Sequence, residues 1–222
     1  MLREPSVRHE QLIDLIKFSA LSLSAIFFVV DPIAVVPVFL AMTRADSDEK
    51  KRQMAKRAAI TAFAILSSFA LAGTLVFKLF GVTLGAFKVA GGILLLLTSV
   101  EMLAAKEQRT RVRKEEEREG EEKEDVAIFP LAIPLLAGPG SIATVTTLMA
   151  KAGHMLYAIP VILSILVTCV ASYLMLRAAT RISRLLGVTG LTVLNRVIGL
   201  IIGALAVQFI FDGVGDAFPG LL

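Results

Sequence analysis

Apolar residues in this chain run on without the polar interruptions of a soluble amphipathic helix. They form six windows, at residues 18–42, 58–80, 82–105, 128–150, 155–176 and 191–211. Each is longer than the roughly 18 residues needed to cross a bilayer as a helix. A transmembrane barrel would instead show strands of about 9 to 11 residues with alternating polarity. The junction at Phe80-Gly81 and the turn at residues 151–154 are short, so the second and third windows, and the fourth and fifth, predict antiparallel hairpins. The fold class expected is an all-α integral membrane protein with six transmembrane helices.

Two windows are interrupted near their middles. Asp31-Pro32 divides the first, and Gly138-Pro139-Gly140 divides the fourth, 107 residues later. Proline lacks an amide hydrogen and clashes with the preceding turn, so a helix ends and restarts there. The offset of 107 also carries Gly92 onto Gly199 and Glu101 onto Gln208, while Gly81-Val82-Thr83 meets Gly187-Val188-Thr189 one residue out of step. These matches predict a duplicated three-span unit. Because three is odd, the second copy enters from the opposite face, giving two inverted repeats with helices one and four broken at mid-membrane. The divisions are residues 1–106 for the first repeat, 107–126 for a charged cytoplasmic linker and 127–222 for the second repeat.

Composition agrees with a membrane location: 56% of the 222 residues are hydrophobic and the mean hydropathy is +0.77. The net charge of +4 does not point to nucleic acid, since no basic stretch carries interleaved aromatics. Basic residues cluster instead at 44–57, 106–123 and 177–184. All three clusters fall on one side of the expected topology, and cytoplasmic loops carry the positive excess. The expectation is an inner-membrane, multi-pass protein with both termini outside the cytoplasm. The start of the chain, through residue 30, resembles a signal peptide, but its apolar run continues past Asp31-Pro32 into a basic loop, which suits a retained span. Cys169 stands alone, and no metal-binding or cofactor-binding pattern appears. His9 and His154 both fall outside the expected spans, and there is no nucleophile–base constellation. An enzyme is therefore not expected.

Residues 28–37 around Asp31-Pro32, residues 81–101, and the stretch from Phe129 through Ala137-Gly138-Pro139-Gly140-Ser141 together resemble the MarC family of six-span inner-membrane proteins, which includes small neutral amino acid transporters. The resemblance implies a membrane fold and amino acid transport. Asp31 corresponds to Gly138, so only the first half supplies a carboxylate.

The breaks suit a zwitterionic solute. Half-helices restarting near Ile33 and Gly140 would direct their positive amide ends at a cavity from opposite sides. Asp31 and freed carbonyls near Val30 and Ala137 would accept from an ammonium group. The candidate substrate contacts are Asp31, Pro32, Ile33, Gly138, Pro139, Gly140, Ser141, Thr144 and Asn195, with Asp31 also the candidate for ion coupling, to protons or sodium. Gly81, Gly85, Gly91, Gly92, Gly199 and Gly203 are candidate close-packing positions between helices. Simpler roles stand beside these: proline as a kink, Asp31 as a helix cap, Ser141 and Thr144 bonded back to their own helix. The function expected is a secondary transporter of glycine, alanine or serine working by alternating access. A non-transporting scaffold and an exporter of another metabolite or drug are the alternatives, and a homo-oligomer is left open. The partners expected are the amino acid, a coupling ion and membrane lipid.

Overall fold

The computed structural model describes residues 4–43, 46–104, 131–132, 135–153 and 155–218. The expected linker at 107–126 lies outside them, as do residues 128–130 and 133–134 of the fourth expected span. The described residues contain helices and no strand. In chain order these are α1 (Glu4–Val30), α2 (Val35–Met42), α3 (Asp48–Phe80), α4 (Leu84–Leu103), α5 (Pro139–Ala152), α6 (Met155–Arg177) and α7 (Ala179–Ala217).

Five of them are long and apolar enough to cross a membrane, over Gln11–Val30, Asp48–Gly73, Leu84–Leu103, Leu156–Arg177 and Thr189–Ala217. Their outward faces are oily: Leu71, Leu97, Leu163 and Leu200 are exposed. The inward faces hold Ser22, Ser99, Thr168 and Ser172, all buried. This is the arrangement a hydrocarbon solvent selects, since polar groups in it must be satisfied inside the protein.

Three boundaries differ from expectation. The first helix begins at Glu4, well before residue 18, because hydropathy registers the apolar part of a helix and not its polar extension. The expected fourth span has as its described helix only the 14 residues of α5, about 21 Å at 1.5 Å per residue. The basic segment after Arg177, expected as a loop, is helical from Ala179.

Gly81 and Gly187 both have a positive φ, of 66° and 62°; the first lies in the turn between α3 and α4, and the second kinks α7. Each precedes Val-Thr and a long apolar helix. At the first, Thr83 caps α4 by accepting the Ala86 amide at 3.2 Å. A residue with a side chain is disfavoured at such a φ, so glycine marks the turn. Gly81 is therefore a turn residue and not a packing glycine: nothing lies within 4 Å of where its Cβ would be.

The most extensive helix pairing is between α4 and α7, which run antiparallel. Small residues spaced by seven line both sides, Gly85, Gly92 and Ser99 against Gly199, Ala206 and Gly213. A Cβ at Gly85 would meet the Gly213 carbonyl at 2.8 Å, and one at Gly203 would meet Ser99 Oγ at 2.6 Å. Ser99 Oγ donates to the Gly199 carbonyl at 2.8 Å. An offset of 107 takes Gly92 to Gly199 and Ser99 to Ala206, so the Gly92–Ala206 and Ser99–Gly199 contacts exchange with one another. Neighbouring Gly91 faces α5 instead, where its Cβ would lie 2.5 Å from that of Ala143. The Gly91-Gly92 pair thus seats α4 against α5 and α7 together.

Candidate functional site

Helix α1 stops at Asp31. Its amide still donates to the Phe27 carbonyl at 3.0 Å, but its φ is 49°, a left-handed conformation that asparagine and aspartate tolerate better than most side chains. Pro32 follows and cannot donate. Asp31 Oδ1 accepts the Ala34 amide at 3.2 Å, the Val36 amide reaches the Ile33 carbonyl at 3.1 Å, and α2 begins at Val35. Ile33 lies within this turn, ahead of the new helix. The carboxylate is 1% exposed.

The second interruption is built differently. The Ala137 amide donates to the Ala132 carbonyl at 2.9 Å, a π-type bond five residues back. Gly138 is extended and caps α5, with Pro139 in its first turn, where a missing amide hydrogen costs nothing. The Ile142 amide then closes onto Gly138 at 3.0 Å. Pro139 is exposed while Gly138 is buried, so the two do not line one surface.

The two interruptions approach one another through Gly140. A Cβ there would lie 2.5 Å from Leu95 Cδ2 and 3.6 Å from Val29 Cγ1, two residues before Asp31. Val29 and Ala34 also share a buried cluster with Leu95, Ile198 and Ile202, against which Leu194 packs. This brings the Asn195 region of α7 to the same turn. Asn195 Oδ1 is buried with no hydrogen-bond partner. Ser141 is buried, and Thr144 bonds back to the Gly140 carbonyl at 2.9 Å. The hydroxyls of Ser22, Thr147 and Thr168 are also buried without partners.

Ion pairs that hydropathy passes over lie elsewhere in the bundle. Lys88, 4% exposed, pairs with Asp216. Lys151 pairs with Asp212 at 2.7 Å, and Gln208 donates to the other oxygen of Asp212 at 2.7 Å. Together they tie α4 and α5 to the end of α7. Lys88 falls inside an apolar window, and an intramembrane lysine is itself a signal of a buried partner. Asp216→Leu is expected to lower the melting temperature in detergent more than Lys88→Met. The first leaves a buried ammonium with its direct partner gone, the second a carboxylate that is already 43% exposed. The difference should be about 1 to 2 kcal/mol, below the usual cost of breaking a buried pair because one partner is partly solvated.

Residues 16–218 match the description MarC family integral membrane protein. The chain belongs to the MarC family. Among its relatives is a UPF0056 membrane protein of Methanocaldococcus jannaschii, 40% identical over 91% of this chain and 98% of that one. The UPF0056 membrane protein YvbG of Bacillus subtilis is 36% identical over 89% and 94%, and YhcE of Escherichia coli 30% identical over 89% and 92%. No solved structure matches. The MarC resemblance in residues 28–37, 81–101 and 129–141 therefore extends over nearly the whole chain, and with it the assignment as an integral membrane protein.

Proposed function

We propose that this MarC protein is a secondary transporter of a small neutral amino acid of the glycine, alanine or serine class, acting by alternating access in the inner membrane. The observation that carries the reading is Asp31: a carboxylate 1% exposed, held in a left-handed turn between two apolar helices, with Gly140 of the second interruption packed beside Val29. A buried acid in a membrane is costly and is retained where it has work to do.

In this reading the chain has six spans in two inverted repeats, residues 1–106 and 127–222, with the first and fourth spans broken at mid-depth and both termini outside. The exchange of the Gly92–Ala206 and Ser99–Gly199 contacts under the 107-residue offset supports the repeat. The short helices support the depth: α2 has eight residues and α5 fourteen, about 12 and 21 Å of rise, each too short to span alone. The amide end of α5, from Gly140 and Ser141, would receive the substrate carboxylate, and Asp31 the ammonium group or a coupling proton. Gly138 and Gly140 carry no side chain, so the backbone there can approach a small ligand closely. Burial of Asp31, Pro32 and Ala34 corresponds to an occluded conformation, and movement of one repeat against the other would open it to either face. Coupling is to a proton or sodium gradient, and no catalytic role is assigned to any residue.

The reading is tested by thermal stability of the detergent-purified protein against a panel of amino acids, with and without sodium. Glycine, alanine or serine at a hundred times its dissociation constant should stabilise by about 2.7 kcal/mol, and leucine or arginine should not. A folded protein that shifts with no amino acid would remove amino acid transport from consideration.

A further inference from the structure

Between α3 and α6 the bundle leaves an open groove of about 660 Å³, inside the range of roughly 300–1,000 Å³ usual for ligand sites. Its two walls are graded in the same direction. On α3, Arg52 and Lys56 give way to Ala59, Ile60 and Phe63, which fall on one stripe because residues three, four and seven apart share a helix face. On α6, Tyr173 stands at the polar end, with Val170 and Leu166 one and two turns farther along. The Arg52 and Arg177 guanidinium groups stand beside the Tyr173 hydroxyl. Glu49 lines the groove beside Arg52, so three cations stand against one carboxylate at the rim. Ile60, Leu166 and Val170 are 56%, 43% and 48% exposed, facing outward from the bundle, where a membrane protein meets hydrocarbon and not water.

A groove that is cationic and aromatic at one end and aliphatic along its length matches a phospholipid, not a free solute. Basic pockets between transmembrane helices hold anionic headgroups, and tyrosine and arginine belong at the headgroup level. We propose that this groove is a binding site for a glycerophospholipid with a net negative headgroup. Its phosphate lies on Arg52 and Lys56, and an acyl chain runs along Ile60, Phe63 and Leu166. The site is independent of the transport reading, since neither wall contains Asp31 or Gly140.

The chain has no tryptophan, so the full-length Phe63→Trp variant carries a single indole in the groove, excited at wavelengths where the two tyrosines do not absorb. In mixed micelles, brominated phosphatidylglycerol is expected to quench it at roughly tenfold lower mole fraction than brominated phosphatidylcholine, as the loss or gain of two cationic contacts implies. Adding Arg52→Gln and Lys56→Gln should abolish that preference, and Lys50→Gln with Lys51→Gln should leave it. Leu97→Trp, on an exposed face of α4, should be quenched alike by both lipids. Equal quenching by the two headgroups in the groove would overturn the proposal, as would a preference that survives loss of Arg52 and Lys56. Full reversal of the preference by inorganic phosphate would overturn it too, since a free anion would then be the occupant. Ile60→Trp gives the same readout should Phe63→Trp fail to fold.

Discussion

Asp31→Asn is expected to cut amino acid uptake into proteoliposomes by roughly a hundredfold while leaving the purified protein folded. The substitution keeps most of what the turn requires. Asparagine tolerates the left-handed backbone that Asp31 adopts at φ 49°, and its side-chain oxygen can still accept the Ala34 amide now bonded at 3.2 Å. What it removes is the negative charge and the capacity to carry a proton. A buried substrate ammonium left without its counter-charge costs about 3 kcal/mol or more, and each 1.4 kcal/mol is tenfold, which gives the hundredfold. Asp31→Ala loses the cap and the backbone tolerance as well, so it should also destabilise, by about 1 to 3 kcal/mol. The pair separates function from fold: uptake falls in both variants, but the melting temperature falls in alanine alone. Where Asp31 carries the coupling proton, the residual uptake of the asparagine variant loses its pH dependence. Wild-type uptake with an unchanged pH profile in Asp31→Asn would remove Asp31 from the mechanism and leave it as a cap.

The end of α1 at Val30 and the start of α5 at Pro139 are legible in the sequence because proline and glycine act locally, through a missing amide or a missing Cβ, whatever surrounds them. The same is true of Gly81 and Gly187, each followed by Val-Thr, which mark a turn before α4 and a kink within α7. Thr83 as an N-cap even distinguishes Gly81 from Gly85, since a glycine ahead of the cap cannot belong to the helix face; the four-residue spacing alone does not make that distinction. Features that depend on distant partners are a different matter. Lys88 is readable as an intramembrane charge, but its partner Asp216 is 128 residues away, and nothing local says which acid it meets. The groove between α3 and α6 likewise needs Arg52 and Tyr173 to be brought together by the fold. The convergence of the two interruptions is intermediate. Their matching places suggest a relation, but the contact of Gly140 with Val29 and Leu95 depends on how α4 and α5 pack, which hydropathy does not encode.

Gly92→Leu is expected to have the largest effect on stability of any single change in the α4–α7 pair, lowering the melting temperature in detergent by roughly 6 to 12 °C. Between helices in lipid there is no hydrophobic gain from association, so the pair is held by close van der Waals contact and by interhelical hydrogen bonds. A Cβ at Gly92 would lie 2.7 Å from the Ala206 carbonyl oxygen and 3.1 Å from the Ile210 amide nitrogen. Both are backbone atoms in the middle of a helix and cannot turn aside, so the helices must separate and the neighbouring contacts at Gly85, Ser99 and Gly213 loosen together. Overpacking of this kind costs about 3 kcal/mol at its upper range, and 1 kcal/mol moves the midpoint of a chain this size by about 2–4 °C. Gly140→Ala is the informative contrast. Its Cβ would come even closer to a neighbour, 2.5 Å, but that neighbour is Leu95 Cδ2, the tip of a side chain that can change rotamer. Distance alone would rank Gly140 as the worse site; the rigidity of the atom encountered reverses the order. Melting curves of Gly92→Ala, Gly92→Leu and Gly140→Ala decide between the two criteria, and a larger loss for Gly140→Ala than for Gly92→Ala would show that the α4–α7 contact is looser than its backbone geometry requires.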